Sequence, residues 1–586
     1  MLALLGSCIA VGTVSTGHGQ SLPAFESKTE VYQILTNHLE GYYGSGVSGV
    51  DVNQDGWDDI SFGEFEGGVQ LWLNTSEGFT EHPLELGLED QCEVKGVIWG
   101  DVDNDGDQDL FVACRGASNH FFKNEGNLEL VDVSDSCGLN VNATSTWGAS
   151  WVDLNQDGFL DLIVAHYTSA WGYPNTFYLG QGDGTFSVQN LGDWGLLEAE
   201  KASFQWHWFD FNGDNRLDLY LINDKSNGNE AYIQTDTGYV ILPDEVGLHA
   251  AGDVMGSSWL DMDLDGDFEV YLSDSDPIGN KLLSQDVDGT YVDLAPDLDM
   301  VLNRMCWGCS AGDWDCNGFE DLYVSTANLA YYLVGTTPFT PVNNTMFHNE
   351  GDGGWFDWES TNPEMDIPSF NQAQLDWNAD GFLDLVVHKV GEHATMLEGI
   401  PNGNHWLEVV PTGVVSNRDG IGLILHCYVT NNEGVAEHRV RQLAAGESFM
   451  MQNARKLHFG LGAAEVVDSL HAVWPSGTEE WLYHVPTNQT LQWVEGATQT
   501  MVPGCTYVDA CNYDPWATQD DGSCDLGCAT PECPELSSAC GEGTHWDVAT
   551  GTCLPDEVCG MDSDNDGEIT VLDMLQLLSL FGLSCP

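Results

Sequence analysis

The chain of 586 residues carries 15 Lys and Arg against 93 Asp and Glu, a formal net charge of −78, with 17 cysteines and 42% hydrophobic residues. Such an excess of acid excludes a nucleic-acid backbone or an anionic membrane surface as the default partner and makes divalent cations the natural counter-ions. The length admits several domains.

The first residues, Met1 to Val11, are apolar and are followed by small and polar residues up to Gln20. They read as a secretory signal over 1–20 cleaved near Gly19, although a basic leading region is missing. Leu5-Gly6-Ser7-Cys8 loosely resembles a lipoprotein processing site. Elsewhere no stretch is long and apolar enough to span a bilayer as a helix.

From residue 51 onward one pattern recurs seven times: Asp-x-Asp/Asn-x-Asp/Asn, a turn residue, and an acid at the ninth position. It starts at Asp51, Asp101, Asp153, Asp210, Asp261, Asp313 and Asp376. A period near 50 residues means a repeat architecture. A small and aromatic run precedes each loop (Trp147 to Trp151, Met255 to Trp259), and a β-rich run follows (Leu160 to Val164, Leu322 to Val324). A third strand opens with Asn119, Asn175, Asn229 or Asn344, and a fourth starts at Phe186, Tyr239, Tyr291 or Trp355. Seven four-stranded units predict an all-β, seven-bladed β-propeller over 21–400. The seventh unit lacks its fourth strand, and Ala24 to Ser27 resembles the other fourth strands. This segment is expected to close the ring on the last blade and hide its edge. The loops and flanking strands resemble the FG-GAP/VCBS repeats of integrin-α-like propellers.

Ca²⁺ takes six to eight oxygens at about 2.3–2.6 Å, which a tight turn supplies from alternate positions. The expected ligands are Asp51, Asn53, Asp55 and Asp59; Asp101, Asp103, Asp105 and Asp109; Asp153, Asn155, Asp157 and Asp161; Asp210, Asn212, Asp214 and Asp218; Asp261, Asp263, Asp265 and Glu269; Asp313, Asp315, Asn317 and Asp321; and Asp376, Asn378, Asp380 and Asp384. The fourth and sixth loops are irregular, with Asn215 in place of the turn Gly and Cys316 inside the loop. Asp/Asn/Gly runs also form turns without metal, but seven in phase favour Ca²⁺. With a Kd of about 1 mM and a tenfold excess of ion, each site contributes roughly 1.4 kcal/mol. Seven such sites sum to about 10 kcal/mol, comparable to the stability of a whole domain.

The calcium loops leave one face of the ring. The other carries unequal connections, His166 to Pro174 with Trp171 and Tyr173, and Thr326 to Asn343 with Tyr331, Tyr332 and Phe339. Aromatic-bearing loops on a rigid scaffold suit binding; packing of these aromatics on one another is the alternative. The integrin-like resemblance implies partners on this second face.

Residues 401–498 lose the acid loops and remain strand-rich. Ser416 to Gly422, Gln452-Asn453 with His458 to Gly462, and Val473 to Gly477 resemble the ASPIC/UnbV domain of cartilage-acidic-protein-like proteins, with Gly420 where that family usually has Ala. His458 and Arg418 are expected in structural rather than ligand-binding roles. Residues 499–560 hold eight closely spaced cysteines, Cys505, Cys511, Cys524, Cys528, Cys533, Cys540, Cys553 and Cys559, and Cys585 lies near the end. This spacing fits a disulfide-stapled module in an oxidising compartment and resembles a short cysteine module of secreted bacterial surface proteins. Over 561–586, Asp562, Asp564, Asp566, the Glu568 carbonyl and Asp573 stand at EF-hand ligand spacing before an apolar run. The segment resembles half of a dockerin.

Gly308 to Gly312 matches G-x-S-x-G, but a calcium loop rather than a helix follows. Cys306-Trp-Gly-Cys309 reads as buried thiols or a structural disulfide rather than a redox motif. No catalytic residue is assigned. The leading reading is a secreted or cell-surface calcium-binding adhesion protein that engages an extracellular protein or glycan and no nucleic acid, with attachment through its C-terminal tail. The alternatives are a polysaccharide hydrolase or lyase acting through acids near the channel, and a passive surface-layer component.

Overall fold

Seven four-stranded antiparallel blades follow one another along the chain, each built from an inner strand, the Asp loop, and three strands stepping outward, and the sheet of blade 1 carries a fifth, parallel strand, Met451–Gln452, on its inner edge. The computed structural model describes residues between 23 and 497, apart from short internal stretches and the connections 168–173, 328–342 and 358–367, and four short strands beyond 500. Blade 2 shows the plan, with strands Glu93–Gly100, Asp109–Arg115, His120–Asn124 and Leu130–Asp132. Blades 3 to 6 begin with the inner strands Thr146–Val152, Ser203–Phe209, Val254–Leu260 and Cys306–Gly312. Blade 7 begins with Ser369–Leu375 and blade 1 with Val47–Ser48. Inner strands of neighbouring blades pack side by side, including blade 7 against blade 1, so the ring is closed.

The first strand, Phe25–Ser27, pairs antiparallel with Thr395–Gly399 and supplies the outer strand that blade 7 lacks. Phe25 faces Gly399 in that register. The core lies between blades rather than within them. Val50, Leu71, Val97 and Leu110 join blades 1 and 2, and Ile98, Phe111, Trp151 and Leu162 join blades 2 and 3. The aromatic that ends the inner strand explains the repeated small-aromatic signature, since Trp99, Trp151 and Trp259 are all buried there.

Asn at the start of the third strand is a second repeated device. Its side-chain oxygen accepts the N–H that ends the second strand, from Cys114 to Asn119, His166 to Asn175, Asn223 to Asn229 and Thr326 to Asn344, each at 2.9–3.0 Å. Cys92 and Cys114 form a disulfide at blade 2, whereas Cys306 and Cys309 are buried thiols. Ser310 sits in the inner strand of blade 6 with no helix after it.

Residues up to Gln499 form one compact unit. Within it, a three-stranded sheet of Leu457–Gly462, His405–Thr412 and Gln489–Val494 faces a four-stranded sheet of Ala436–Gln442, Ile424–Thr430, Val466–Val473 and Glu479–Pro486. Leu407, Leu425, Cys427, Phe459, Leu470 and Trp474 fill the space between them. In the separate unit Thr500–Pro586, Pro503–Gly504 pairs with Gln519–Asp520 and Thr544–Asp547 with Thr552–Pro555. The signal segment with Cys8 and the EF-hand-like residues Asp562, Asp564, Asp566 and Asp573 lie outside the described residues, as do Trp171, Tyr173, Tyr331, Tyr332 and Phe339.

A segment of the sandwich enters the propeller channel. Ala445 O accepts from Trp151 N at 3.0 Å, and Gly446 O accepts from Gln205 Nε2 at 2.7 Å and Ser150 Oγ at 2.8 Å. Ser448 Oγ receives Cys309 N at 3.0 Å, and Gln452 bridges both backbone groups of Trp99 at 2.8 and 2.9 Å. Met451–Gln452 pairs in parallel with Val47–Ser48, and Asn371 Nδ2 reaches the carbonyls of Phe449 and Met450 at 3.2 and 3.1 Å. One short peptide thus bonds to blades 1, 2, 3, 4, 6 and 7. The Phe449 ring packs on Trp147, Phe204 and Trp307, with centroids 5.1–6.1 Å apart. At the fifth blade, Gly256 allows the close approach, because a Cβ there would lie 2.5 Å from Ser448 Oγ.

Candidate metal centres of the blade loops

Each Asp loop connects the inner strand to the second strand, so all seven emerge on one face. Their backbone is shared. Positions four and six are left-handed in every loop, as in Asn104 (φ 59°) with Gly106 (φ 101°), and Cys316 (φ 54°) with Gly318 (φ 106°). Asn215 takes φ 63° where the other loops place Gly, a conformation Asn tolerates, so the fourth loop keeps the same turn.

The first-position carboxylate is a hub. Asp101 accepts from Asp105 N at 3.0 Å and Gly106 N at 2.9 Å, and Asp153, Asp210 and Asp376 make the same pair of bonds. The ninth-position acid is a strut between strands. Asp109 accepts from Val102 N at 3.2 Å and from Asn124 N, in the third strand, at 2.9 Å, and Asp59, Asp161, Asp218 and Asp384 repeat this. The position therefore has a structural duty in addition to the expected ligation.

These carboxylates are buried with little opposite charge. Burial, opposed by the backbone bonds and reinforced by neighbouring acids, raises Asp59, Asp109, Asp161 and Asp218 to about 8 and Glu269 to about 9. Asp101 rises to about 7, through burial first and then the charge of Asp419. A set of buried oxygens that resists ionisation in isolation is what a divalent ion would stabilise. The donors fit Ca²⁺, being all oxygen in six of the loops, and Asp103 Oδ1 is buried without a hydrogen-bond partner.

The loops differ in convergence. Ligand atoms of Asp101, Asp103 and Asp109, and of Asp261, Asp263 and Asp265, lie within 4.8 Å of one another. In loop 2 the ammonium of Lys123 also pairs with Asp103. In three of the four loops with Asn at the third position its amide is turned to the fifth, Asn53 Nδ2 donating to Asp55 at 3.1 Å, Asn155 to Asp157 at 2.8 Å and Asn378 to Asp380 at 3.1 Å. In the sixth loop Asn317 is committed at both ends, donating to Asn349 O at 3.0 Å and accepting from Phe319 N at 2.7 Å. The third group within 4.8 Å is Asp315, Asp321 and His348, a histidine absent from the expected ligand set.

The sandwich covers this face, which the sequence did not reveal. Asp419 Oδ2 accepts from Asp101 N at 2.8 Å, and Arg418 Nε lies 3.5 Å from Asp101 Oδ2. Arg439 Nε donates to Gly318 O at 3.1 Å, Arg441 Nε pairs with Glu320 at 3.1 Å, and Lys456 Nζ with Asp58 at 2.8 Å. Val440 N donates to Asp261 Oδ2 at 3.1 Å, and His458 Nε2 meets Gly381 O at 2.9 Å. Arg418 and His458 thus act structurally, as expected, by docking the sandwich on the loops. Gly420 is left-handed (φ 69°) and a Cβ would lie 2.9 Å from Pro411, which accounts for Gly in place of Ala. A legible signal existed: the five basic residues after 400, Arg418, Arg439, Arg441, Arg455 and Lys456, are a third of the chain's 15, and all fall in this segment.

Comparison with known proteins agrees with these two parts. The FG-GAP-like repeat family matches residues 51–112, 101–164, 153–221 and 210–272, and the ASPIC and UnbV family matches residues 413–500. Cartilage acidic protein 1 of Homo sapiens is 29% identical over 135 residues, 21% of this chain and 20% of that protein. The Xenopus tropicalis protein of the same name is 27% identical over 95 residues, 16% of this chain and 14% of its own. The matched region spans a fifth or less of these relatives. Among solved structures, BBS1N in complex with ARL6DN aligns over 62% of this chain and 95% of its own at 12% identity, with a TM-score of 0.39. Saccharomyces cerevisiae Sqt1 aligns over 59% of this chain and 82% of its own, at 12% identity and a TM-score of 0.35. The chain carries FG-GAP-like repeats and an ASPIC/UnbV domain.

Proposed function

We propose that this chain of FG-GAP-like repeats and ASPIC/UnbV domain is an extracellular interaction scaffold, secreted or held at the cell surface, whose loops carry Ca²⁺ and whose opposite face binds protein or glycan. One observation supports the choice of face. The loop face is covered by the ASPIC/UnbV sandwich and the channel is filled by 445–453, so among the described residues neither covers the side of the connections between second and third strands. The second strands Asp161–His166 and Asp321–Thr326 end toward that side, just before the aromatic-bearing segments of the sequence. Relatives named cartilage acidic protein favour an extracellular setting. Among the described residues no helix is long and apolar enough to cross a membrane.

Catalysis at the channel is the weaker reading. The cavity beneath the inserted peptide, lined by Glu320, Glu408, Glu447 and Arg441 among others, measures about 120 Å³, below the ~300 Å³ at which small-molecule sites begin. The full chain, applied in Ca²⁺ to glycan and extracellular-protein arrays beside a polysaccharide depolymerisation assay, tests the proposal. Specific binding that is lost when 168–173 and 328–342 are replaced by Gly-Ser segments supports it. Depolymerisation, or no binding to any class of ligand, overturns it.

A further inference from the structure

The sixth loop departs from the other six in its chemistry. In blade 2 the residue before the strut-bonded Asn124 is Lys123, and in blades 1, 3 and 4 the equivalent residues are Leu73, Leu179 and Ile233. In blade 6 that position is His348, whose neighbour Asn349 donates to Asp321 Oδ1 at 2.9 Å. An imidazole is therefore directed into a loop that elsewhere offers only oxygen.

His348 and Asp321 are 0% exposed and Asp315 is 2% exposed. His348 Nδ1 lies 2.8 Å from Asp321 Oδ1, which fixes the ring and turns Nε2 toward Asp315 Oδ2, 3.8 Å away. That separation is shorter than two metal–ligand bonds of about 2.0–2.2 Å laid end to end. His348 Nε2 and Asp315 Oδ2 are both buried with no hydrogen-bond partner, whereas Asp321 also takes the backbone N–H of Trp314. Two buried, unpartnered polar atoms 3.8 Å apart are costly unless something joins them. The bond from a carboxylate to Nδ1 is the arrangement that orients metal-binding histidines. Ca²⁺ selects oxygen, whereas an imidazole with carboxylates suits zinc and its first-row neighbours.

The surroundings close the site. Asn402 and Asn404 donate to Asp315 O at 2.6 and 2.8 Å. Gly460 of the ASPIC/UnbV domain packs so closely that a Cβ would lie 1.9 Å from Asp313 Oδ2 and 2.5 Å from Cys316 Cα. We infer that blade 6 holds a divalent transition-metal ion of the zinc type through His348 Nε2 and Asp315, with Asp321 orienting the ring by its bond to Nδ1, in place of the Ca²⁺ that its Asp spacing suggests. The inference stands whether or not the other loops take Ca²⁺.

The test strips the full-length protein with a chelator, reloads it with Zn²⁺ in excess Ca²⁺, removes free metal, and measures both elements. About one equivalent of zinc is expected to remain per chain. His348→Asn should lose that equivalent while its calcium content and circular dichroism stay native. His471→Asn should retain it, because His471, His426 and His438 form a separate, partly exposed ring stack that is the other candidate for surface zinc. X-ray absorption at the zinc edge of the wild-type protein needs no variant and should show one imidazole among oxygen ligands. No zinc retained in Ca²⁺, zinc retained by His348→Asn, zinc lost by His471→Asn, or several imidazoles at the metal would each overturn the inference.

Discussion

Two short segments close this ring, and they do so in opposite ways. Phe25–Ser27 lies on the outer edge and joins the two chain ends of the propeller by pairing with one strand of blade 7. Residues 445–453 lie at the axis and bond to six blades at once. An outer strand secures one blade interface, whereas an axial peptide couples interfaces that otherwise meet only their neighbours. The ASPIC/UnbV domain is therefore part of what holds the propeller together.

Phe449→Ala should be the most damaging single change, because the ring is 1% exposed among Trp147, Phe204 and Trp307 and its loss opens a cavity at the axis. About 3–5 kcal/mol is expected, read from denaturant melts in Ca²⁺; a loss below ~1 kcal/mol would mean the axial peptide adds little. Deleting residues 21–36 removes the outer strand and Ile34, which is 0% exposed. Burial of one such side chain is worth about 1.5–3 kcal/mol, and unchanged cooperative unfolding would refute the outer closure.

The pH dependence probes the channel wall itself. His207 lies on the inner strand of blade 4, and burial lowers its pKa from 6.5 to about 3. The fold therefore holds it neutral. The stability this confers is complete above the unfolded value of 6.5 and falls as pH drops toward the folded value of about 3. At pH 5 the loss is about 2 kcal/mol, and His207→Phe should remove that part of the difference between pH 7 and pH 5. An identical pH profile in the variant would show that the acid sensitivity lies elsewhere. Arg418→Ala, at a pair whose arginine is 43% exposed, should cost less than about 1 kcal/mol.

The repeat was legible because it obeys local chemistry. Asp at positions one and nine, Gly at six and Asn opening the third strand each satisfy backbone groups within one blade, so their spacing survives in the sequence. The outer strand was legible for the same reason, as a missing fourth strand and a spare one. The axial peptide was not, because Ala445, Gly446 and Ser448 act through backbone groups and a hydroxyl, which leave no periodic mark. His348 escaped notice since its role depends on lying beside Asp315, a neighbour 33 positions away in the chain. The five basic residues after 400 carried a signal in their concentration, which becomes meaningful only beside the uncompensated acids of the loops.

Calorimetric melting of the chelator-stripped full chain across a Ca²⁺ titration bears most directly on the account. Stability should climb by roughly 8 kcal/mol in total from six calcium loops as the ion passes from absent to tenfold above a Kd of about 1 mM, with the midpoint still rising as the ion concentration increases. A midpoint that does not move with Ca²⁺ would contradict the claim that divalent ions hold these acidic loops.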